Sequence, residues 1–289
     1  MPTLLGFGAI LLWAALALLT SLTTRIPLFE WLALTFGLAT VFSLPMLLRR
    51  GALASLRAVP AGAWALGIIG LFGYHALYML ALKNAPTAQA GLIAYLWPLL
   101  IVLFSIVGQA WRRWVLPIAG GLLGLLGAGF LVVDPSEGGF RSEFALGYGF
   151  ALACALMWSS YSVLNRRYAG VPTVAVVVYC GIAAVGGLVL SLVLETWVTP
   201  TALEWVGLVG LALGPMGLAF FVWDYGTKHG NVTLLGALSY FAPLLSTILL
   251  VLTGRASPSW ALAAATVLIV GGAGLAALGL RSGQRAEAD

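Results

Sequence analysis

The chain has 289 residues, of which 62% are hydrophobic and only 8% are charged, and its mean hydropathy is +1.05. Because soluble domains carry about 25% charged residues, this composition excludes a water-soluble globular protein. The formal net charge of +5 is small, so it bears on orientation in a membrane more than on binding of nucleic acid. We therefore expect an all-α polytopic protein embedded in the lipid bilayer, with no nucleic-acid partner.

Apolar stretches near 20 residues long recur along the sequence, and this is the length needed to cross a hydrocarbon core of about 30 Å. In chain order, ten transmembrane helices are predicted at about 3–24, 30–48, 61–83, 88–108, 114–133, 143–165, 172–194, 202–228, 232–252 and 258–280. The first stretch is long for a signal peptide and lacks a basic residue before its apolar core, so we interpret it as a span. The connections are short, which leaves no room for a soluble domain.

A constant spacing of 145 residues relates the first half of the sequence to the second. Residues 90–100 read AGLIAYLWPLL and residues 235–245 read LGALSYFAPLL, so both contain G-x-x-x-Y-x-x-P-L-L. The same spacing pairs Trp13 with Trp158, Pro27 with Pro172, Gly62 with Gly207 and Lys83 with Lys228. These matches indicate a tandem duplication of a five-helix unit, with a first repeat at 1–137 and a second at 138–289.

An odd number of helices in each repeat places the second repeat in the membrane in the opposite orientation. Many secondary transporters build an alternating-access site near the middle of the bilayer from such inverted repeats. Ten of the 14 Lys and Arg residues fall on the side that both termini share, and the other four fall opposite. By the positive-inside rule, we expect both termini to lie in the cytoplasm.

The segment ALKNAPTAQAGLIAYLWPL at 81–99, its counterpart around 228–245 and the ten spans together resemble the drug/metabolite transporter superfamily, in its EamA branch. The aromatic motifs Y-H-x-x-Y at 74–78 and Y-L-W-P at 95–98 are most similar to the YddG-type aromatic amino-acid exporters of bacterial inner membranes. This resemblance covers the whole chain. It implies a bundle whose central cavity is lined mainly by helices 1, 3, 4, 6, 8 and 9, with helices 5 and 10 at the rear.

Aromatic side chains deep within the predicted helices are the candidates for substrate binding. Rings with a polar group suit a cavity that accepts an apolar side chain and an ammonium group, partly by cation–π attraction. The deep set is Trp13, Tyr74, Tyr78, Tyr95, Trp97, Trp158, Tyr161, Trp223, Tyr225 and Tyr240, and all but Trp223 and Tyr225 are taken as binding candidates. The alternative is that half or more of them only pack between helices; the pairs Trp13/Trp158 and Tyr95/Tyr240 are favoured because both repeats contain them.

Two prolines, Pro98 and Pro243, lie near the middle of helices 4 and 9. A proline inside a helix removes a backbone hydrogen bond, and in a membrane the freed carbonyl must be satisfied by protein or water. We expect each proline to produce a kink that acts as a hinge beside the cavity, the alternative being a kink that serves only packing. Pro215 in helix 8 is a weaker third candidate.

Few ionisable side chains fall within the predicted spans. His75 lies deep in helix 3, where an ionisable group indicates function, so we take it as a substrate-binding or titrating residue; the alternative is a neutral histidine bonded to a neighbouring helix. Asp224 precedes Lys228 by four residues, a spacing that favours an ion pair on a helix, and we interpret the two as a structural pair or a gate. Lys83 is either a gate residue or the snorkelling end of helix 3.

Several motifs are absent from the sequence. There is no Walker loop and no arrangement of residues for hydrolysis, and Cys154 and Cys180 show no metal spacing. We therefore expect no enzyme activity, no cofactor and no metal. The G-x-x-x-G at Gly120 and Gly124 indicates close packing within a monomer, with a weak dimer as the alternative.

The resulting hypothesis is a secondary or facilitative transporter that exports aromatic and other apolar amino acids by alternating access. The alternative is an exporter of another small metabolite or an organic cation with the same fold. A phosphorylated substrate is disfavoured, because the predicted spans contain no arginine cluster to neutralise it.

Overall fold

The computed structural model describes residues 1–108, 114–132 and 140–285, and within these residues the secondary structure is helical with no β-strand. In this part of the chain ten long helices form one bundle: α1 Pro2–Thr20, α2 Leu28–Met46, α3 Ala61–Asn84, α4 Thr87–Ile106, α5 Val115–Leu131, α6 Ser142–Tyr168, α7 Ala175–Leu194, α8 Ala202–His229, α9 Val232–Leu252 and α10 Trp260–Gly279. A short helix, Ala52–Arg57, lies between α2 and α3. By length and composition, nine are able to cross a membrane, and the apolar helix α5 is shorter. Each coincides with one predicted span, with its ends shifted by a few residues.

Prolines set several of the helix starts. Pro27, Pro60 and Pro86 stand directly before α2, α3 and α4. Proline is suited to this position because a helix start has no intrahelical partner for its backbone N–H. At α8 the start is fixed instead by a capping box, in which Thr201 and Glu204 satisfy each other's backbone N–H groups. Local sequence therefore determines where these helices begin.

The helices pack in a regular pattern. Helix α5 lies against α10, α2 against α7 and α4 against α9. Helix α1 contacts α8 and α9, and correspondingly α6 contacts α3 and α4. Exchanging each helix with the one five places away leaves this set of contacts unchanged.

Helices α3, α4, α8 and α9 are interrupted at corresponding positions, whereas a break in α1 at Ala15 has no counterpart in α6. Helix α3 contains a π-helical turn at Ile69–Gly73 and α8 contains one at Gly214–Leu218, which are 145 residues apart. Helix α4 breaks after Ala94 and resumes at Trp97, and α9 breaks after Leu238 and resumes at Phe241. Turns of π-helix inside α-helices are rare and are frequent at functional sites.

The breaks in α4 and α9 are the kinks that the two prolines predict. Pro98 and Pro243 each lie in the first turn of the helical piece that follows the break, where a missing N–H removes no hydrogen bond. Carbonyls at the break in α4 find partners on other helices: Ser159 Oγ donates to the Trp97 carbonyl at 3.0 Å, and Tyr240 Oη donates to the Tyr95 carbonyl at 3.4 Å. Hydrogen bonds from α6 and α9 thus anchor the segment of α4 that precedes Pro98.

Glycines permit the closest contacts in the bundle. A Cβ at Gly120 would overlap the Gly272 carbonyl of α10, and one at Gly124 would overlap the ring of Tyr240. The predicted G-x-x-x-G of α5 therefore packs within the monomer, as its default interpretation requires. On α3, Gly67 and Gly70 make room for tyrosine rings from α7 and α6.

Candidate functional site

Four tryptophans from four helices meet at the centre of the bundle: Trp13 on α1, Trp97 on α4, Trp158 on α6 and Trp223 on α8. The ring centroids of all six pairs lie between 5.1 and 6.4 Å apart. Three of the pairs are within ten degrees of perpendicular, an edge-to-face arrangement that the ring quadrupole favours. We call these four residues the tryptophan cluster.

Hydrogen bonds fix the orientation of two of these rings. Trp13 Nε1 donates to the carbonyl of Pro215, within the π-helical turn of α8, at 3.1 Å. Trp223 Nε1 donates to Ser162 Oγ on α6, also at 3.1 Å. Since each bond joins two different helices, the tryptophan cluster ties α1 and α6 to α8.

A cavity of about 130 Å³ lies beside the tryptophan cluster. Its lining comes from α1, α3, α4, α6, α8 and α9: Trp13, Leu16, Tyr74, His75, Tyr78, Gly91, Ala94, Tyr95, Trp97, Trp158, Met216, Phe220 and Ala242. These are the six helices that the family resemblance implies. The lining contains aromatic and apolar groups, three phenol hydroxyls and one imidazole, and it includes no formally charged side chain.

His75 packs among aromatic rings at one wall of this cavity. Its Nδ1 lies 2.7 Å from the Leu71 carbonyl one turn earlier on α3, and because a carbonyl only accepts, Nδ1 carries the proton. The imidazole centroid is 4.9 Å from both Phe36 and Tyr74 and 5.5 Å from Phe220. His75 is therefore hydrogen-bonded through Nδ1 within its own helix, and not to a neighbouring one.

The structure brings seven of the nine predicted substrate-binding residues to the cavity: Trp13, Tyr74, His75, Tyr78, Tyr95, Trp97 and Trp158. Tyr161 instead packs on Trp158, with centroids 5.2 Å apart, and against the backbone of Gly70. Tyr240 lies in the rear core beside Gly124 and reaches towards the cavity only through its bond to the Tyr95 carbonyl.

Sequence reasoning missed Phe220 and Met216, and it set Trp223 aside. An apolar residue in an apolar span carries no signal of its own, so Met216 could not have been found. Phe220 stands 145 residues after His75, and this spacing was the signal that could have identified it. In the structure the two rings are in contact. Trp223 stands opposite Tyr78 at the same spacing.

At the end of the bundle that holds the α1 N-terminus, an ion pair is fully buried. Lys228 Nζ lies 2.8 Å from Asp224 Oδ2, and the two side chains are 2% and 1% exposed. Asn165 Nδ2 donates to Asp224 Oδ1 at 3.1 Å, and Lys228 also donates to the Val171 carbonyl at 3.0 Å. The predicted Asp224–Lys228 pair is present, and we call these four residues the termini-side network.

At the opposite end of the bundle, ion pairs join the two halves of the chain. Arg25 donates two hydrogen bonds of 2.9 Å to Glu204, a bidentate contact that raises the pKa of Arg25. Lys83 Nζ lies 3.2 Å from Glu195 Oε1, so Lys83 is paired and does not simply extend into solvent. We call Arg25, Glu30, Lys83, Glu195 and Glu204 the far-side network.

Glu195 also holds the start of α2. Its carboxylate accepts hydrogen bonds from the backbone N–H groups of Phe29 and Glu30 at 3.0 and 3.1 Å. A negative charge at a helix N-terminus satisfies unpaired donors and interacts favourably with the helix dipole. Glu195 thereby links the first half of the chain to the second.

Among the described residues, no three His, Cys, Asp or Glu side chains are grouped as a metal site requires. Cys154 and Cys180 are free thiols buried on α6 and α7.

Apolar spans, interrupted helices and a central aromatic cavity with ion pairs at both ends are features of a multi-pass membrane transporter. The model of the EamA-like transporter family matches residues 1–133 and 145–278. The chain belongs to this family.

Named relatives extend over nearly the whole chain. The aromatic amino acid exporter YddG of Ancylobacter novellus is 50% identical over 277 residues, 96% of each chain, and the YddG exporter of Escherichia coli K12 is 28% identical over 97% of this chain and 98% of its own. A biotin transporter of Salmonella typhimurium is 27% identical over 70% of this chain and 68% of its own. A crystal structure of a protein 50% identical to this chain superimposes with a TM-score of 0.89 and covers 96% of this chain and 97% of its own.

Proposed function

We propose that this protein exports amino acids with aromatic and other apolar side chains across the bacterial inner membrane. It acts as a secondary or facilitative transporter that works by alternating access. The observation that carries this proposal is the aromatic cavity at the meeting point of six helices. The name of the relative that is 50% identical supports the same substrate class.

In this proposal the transporter consists of two inverted repeats, residues 1–137 and 138–289, and both termini lie in the cytoplasm. The family model matches once in each half, and π-helical turns recur at corresponding positions of α3 and α8. The excess of Lys and Arg at the termini side supports the orientation. In this orientation the far side is the periplasmic side.

Substrate recognition follows from the chemistry of the lining. The rings of Trp13, Trp97 and Trp158 that line the cavity accept an aromatic or aliphatic side chain, and the same faces attract an ammonium group. The hydroxyls of Tyr74, Tyr78 and Tyr95 are donors and acceptors for the substrate carboxylate and ammonium. A zwitterion has no net charge, which suits a lining without formal charges.

The size of the cavity indicates how transport proceeds. Ligand sites usually measure about 300–1,000 Å³, whereas this cavity measures about 130 Å³. Helices must therefore separate before a whole amino acid is enclosed. The breaks at Pro98 and Pro243 are the proposed hinges, and the ion pairs of Lys83 and of Asp224 with Lys228 are the proposed gates at the two ends.

A second candidate is export of an organic cation or of another small metabolite. Aromatic boxes bind quaternary ammonium groups through cation–π attraction. The ring centroid of Tyr74 lies 6.2 Å from that of Tyr78 and 5.3 Å from that of Trp158, so the three rings offer such faces. A relative named as a biotin transporter shows a different metabolite class on a similar sequence.

The test is flux of radiolabelled Trp, Phe, Tyr, Thr and Glu through purified protein in liposomes. We expect aromatic substrates to move fastest, and Trp158→Ala to reduce their flux at least tenfold. Trp205→Ala, which changes a 40% exposed tryptophan away from the cavity, is the matched control and should retain flux. If folded protein moves a quaternary ammonium compound but no amino acid, amino-acid export is contradicted and export of an organic cation is supported instead.

A further inference from the structure

A hydroxyl beside the tryptophan cluster lies within hydrogen-bonding distance of two helices. Ser159, on α6 next to Trp158, is 0% exposed. Its Oγ lies 3.0 Å from the Trp97 carbonyl on α4 and 2.6 Å from the Ala155 carbonyl one turn earlier on α6. A serine hydroxyl has one proton to donate, and both carbonyls only accept. The two carbonyls therefore share this donor, and the bond to Trp97 exists only while α4 lies against α6.

The bond to Trp97 holds the part of α4 that runs to the termini side. Trp97 is the first residue of the piece of α4 that follows the break. Towards the end of this piece, Ser105 Oγ lies 2.8 Å from Thr233 Oγ1 in the first turn of α9. The start of α9 meets the start of α1, where Asn231 N–H donates to Thr3 Oγ1 at 3.0 Å. Opening the cavity to the termini side between α4 and α6 therefore breaks the bond to Trp97.

The corresponding contact in the other half of the bundle has no hydroxyl. At the spacing of 145 residues, Ser159 corresponds to Ala14 on α1, and Trp97 corresponds to Ala242 on α9. Helix α6 packs on the second piece of α4, and α1 packs in the same way on the second piece of α9, which runs from its break to the far side. Because alanine has no side-chain donor, the serine bond acts on the termini side and the duplication gives it no equivalent on the far side.

We propose that Ser159 is a switch that holds the termini side of the cavity closed. With α4 against α6, as in this structure, Oγ–H donates to the Trp97 carbonyl. When α4 moves away, the proton turns wholly to the Ala155 carbonyl, so that the buried hydroxyl keeps a partner in both states and neither state bears the cost of an unsatisfied donor. The bond to α4 is then a difference between the two states, and it shifts their equilibrium towards closure of the termini side.

The switch rests on the proposed function, since it sets the balance between the two open states of an alternating-access cycle. Ser159 acts through the backbone of Trp97, so it is a positioning residue and not part of the cavity lining. The net contribution of one hydrogen bond corresponds to about a 2- to 10-fold change in an equilibrium constant. Ser159→Ala should therefore raise the population open to the termini side by about this factor. Alanine fits the same space and leaves no unpaired donor, so the variant should fold.

The first experiment measures thiol labelling at Ala94→Cys, in the cavity wall, with Cys154 and Cys180 replaced by alanine. In oriented proteoliposomes, a membrane-impermeant reagent labels this cysteine only while the cavity is open to the side of addition. Ser159→Ala should raise the labelling rate from the termini side about 2- to 10-fold, and it should not raise the rate from the far side.

Ser239→Ala is the matched control. Ser239 is also 0% exposed and follows the first piece of α9, and within the described residues its Oγ bonds only to the Leu235 carbonyl of its own helix, at 2.7 Å. Its removal breaks no hydrogen bond between helices, so the ratio of the two labelling rates should stay at the wild-type value. Thermal unfolding in one detergent verifies that both variants are folded.

The second experiment measures tryptophan flux with the substrate added on each side in turn. Apparent affinity rises with the fraction of molecules whose cavity is open to that side, so Ser159→Ala should lower the half-saturating tryptophan concentration at the termini side. An unchanged or lowered labelling ratio in Ser159→Ala, an equal change in Ser239→Ala, or an equal rise in labelling from both sides would overturn the proposal. If the labelling ratio shifts as expected but no amino acid is transported, the switch stands and the proposed function fails.

Discussion

Two lysines at corresponding positions of the two halves are held in opposite ways. Lys228 on α8 is 2% exposed and pairs with Asp224 on its own helix, whereas Lys83 on α3 is 34% exposed and pairs with Glu195 from the other half. The residue that corresponds to Asp224 in the first half is Met79, so the spacing of 145 retains the base and not the acid. The termini side thus has a desolvated ion pair within one helix, whereas the pairs Arg25–Glu204 and Lys83–Glu195 of the far side join the two halves and each contain a base that solvent reaches.

This difference determines which end opens more easily. Separating α2 and α3 from α7 and α8 at the far side breaks ion pairs whose bases are already partly hydrated, and water then solvates both partners. The free-energy cost of losing such pairs is small. At the termini side, moving α8 away removes the bonds of Asp224 to Asn165 and of Lys228 to the Val171 carbonyl, and the loss of buried hydrogen bonds to charged groups costs more. Leu16, Tyr78 and Gly91 extend the cavity from the tryptophan cluster towards the far side. We infer that the far side is the readily opened end of this conformation.

The largest expected effect comes from breaking the buried pair. Lys228→Met leaves the Asp224 carboxylate buried without its counter-charge, and such a change costs about 3–5 kcal/mol. Lys83→Met removes a partly exposed pair, for which about 0–1 kcal/mol is expected. Denaturant unfolding in one detergent, followed by tryptophan fluorescence, measures both changes.

A double substitution sharpens this result. Asp224→Leu with Lys228→Met removes both charges, so it should be less destabilising than Lys228→Met alone. Equal destabilisation by Lys83→Met and Lys228→Met would contradict the distinction between the two ends.

An effect of intermediate size on the free energy of unfolding should distinguish Trp13 from Trp158. Trp13→Phe removes the hydrogen bond to the Pro215 carbonyl, which is worth about 0.5–1.5 kcal/mol, whereas Trp158→Phe removes no hydrogen bond seen among the described residues. We expect Trp13→Phe to lower the unfolding free energy more than Trp158→Phe does. The reverse order would show that packing, and not this bond, distinguishes the pair.

The smallest effects concern the two corresponding tyrosines. Tyr240→Phe removes a hydrogen bond of 3.4 Å to the Tyr95 carbonyl, so we expect a loss of stability below about 1 kcal/mol and nearly unchanged flux. Tyr95→Phe removes a hydroxyl from the cavity and should reduce aromatic flux severalfold with little change in stability. An equal fall in flux in Tyr240→Phe and Tyr95→Phe would show that Tyr240 also contributes to substrate binding.

The fold was largely predictable from the sequence, because span length, proline position and a fixed repeat spacing are all one-dimensional signals. The spacing also identified Trp13 and Trp158, which do meet in the cavity. It grouped Tyr240 with Tyr95, but only Tyr95 lines the cavity, because a shared spacing of residue types does not fix which way a helix is rotated. Gly124 on a different helix opens the slot that Tyr240 fills, and no local pattern could reveal it.

We expect aromatic substrates to bind in this cavity, which in this conformation is reached from the far side. A single cysteine at Ala94, in the cavity wall, with Cys154 and Cys180 replaced by alanine, allows a direct measurement in oriented proteoliposomes. We predict that a membrane-impermeant thiol reagent labels Ala94→Cys from the far side, and that tryptophan slows this labelling whereas glutamate does not. Labelling from the termini side alone, or labelling that tryptophan leaves unchanged, would contradict the account.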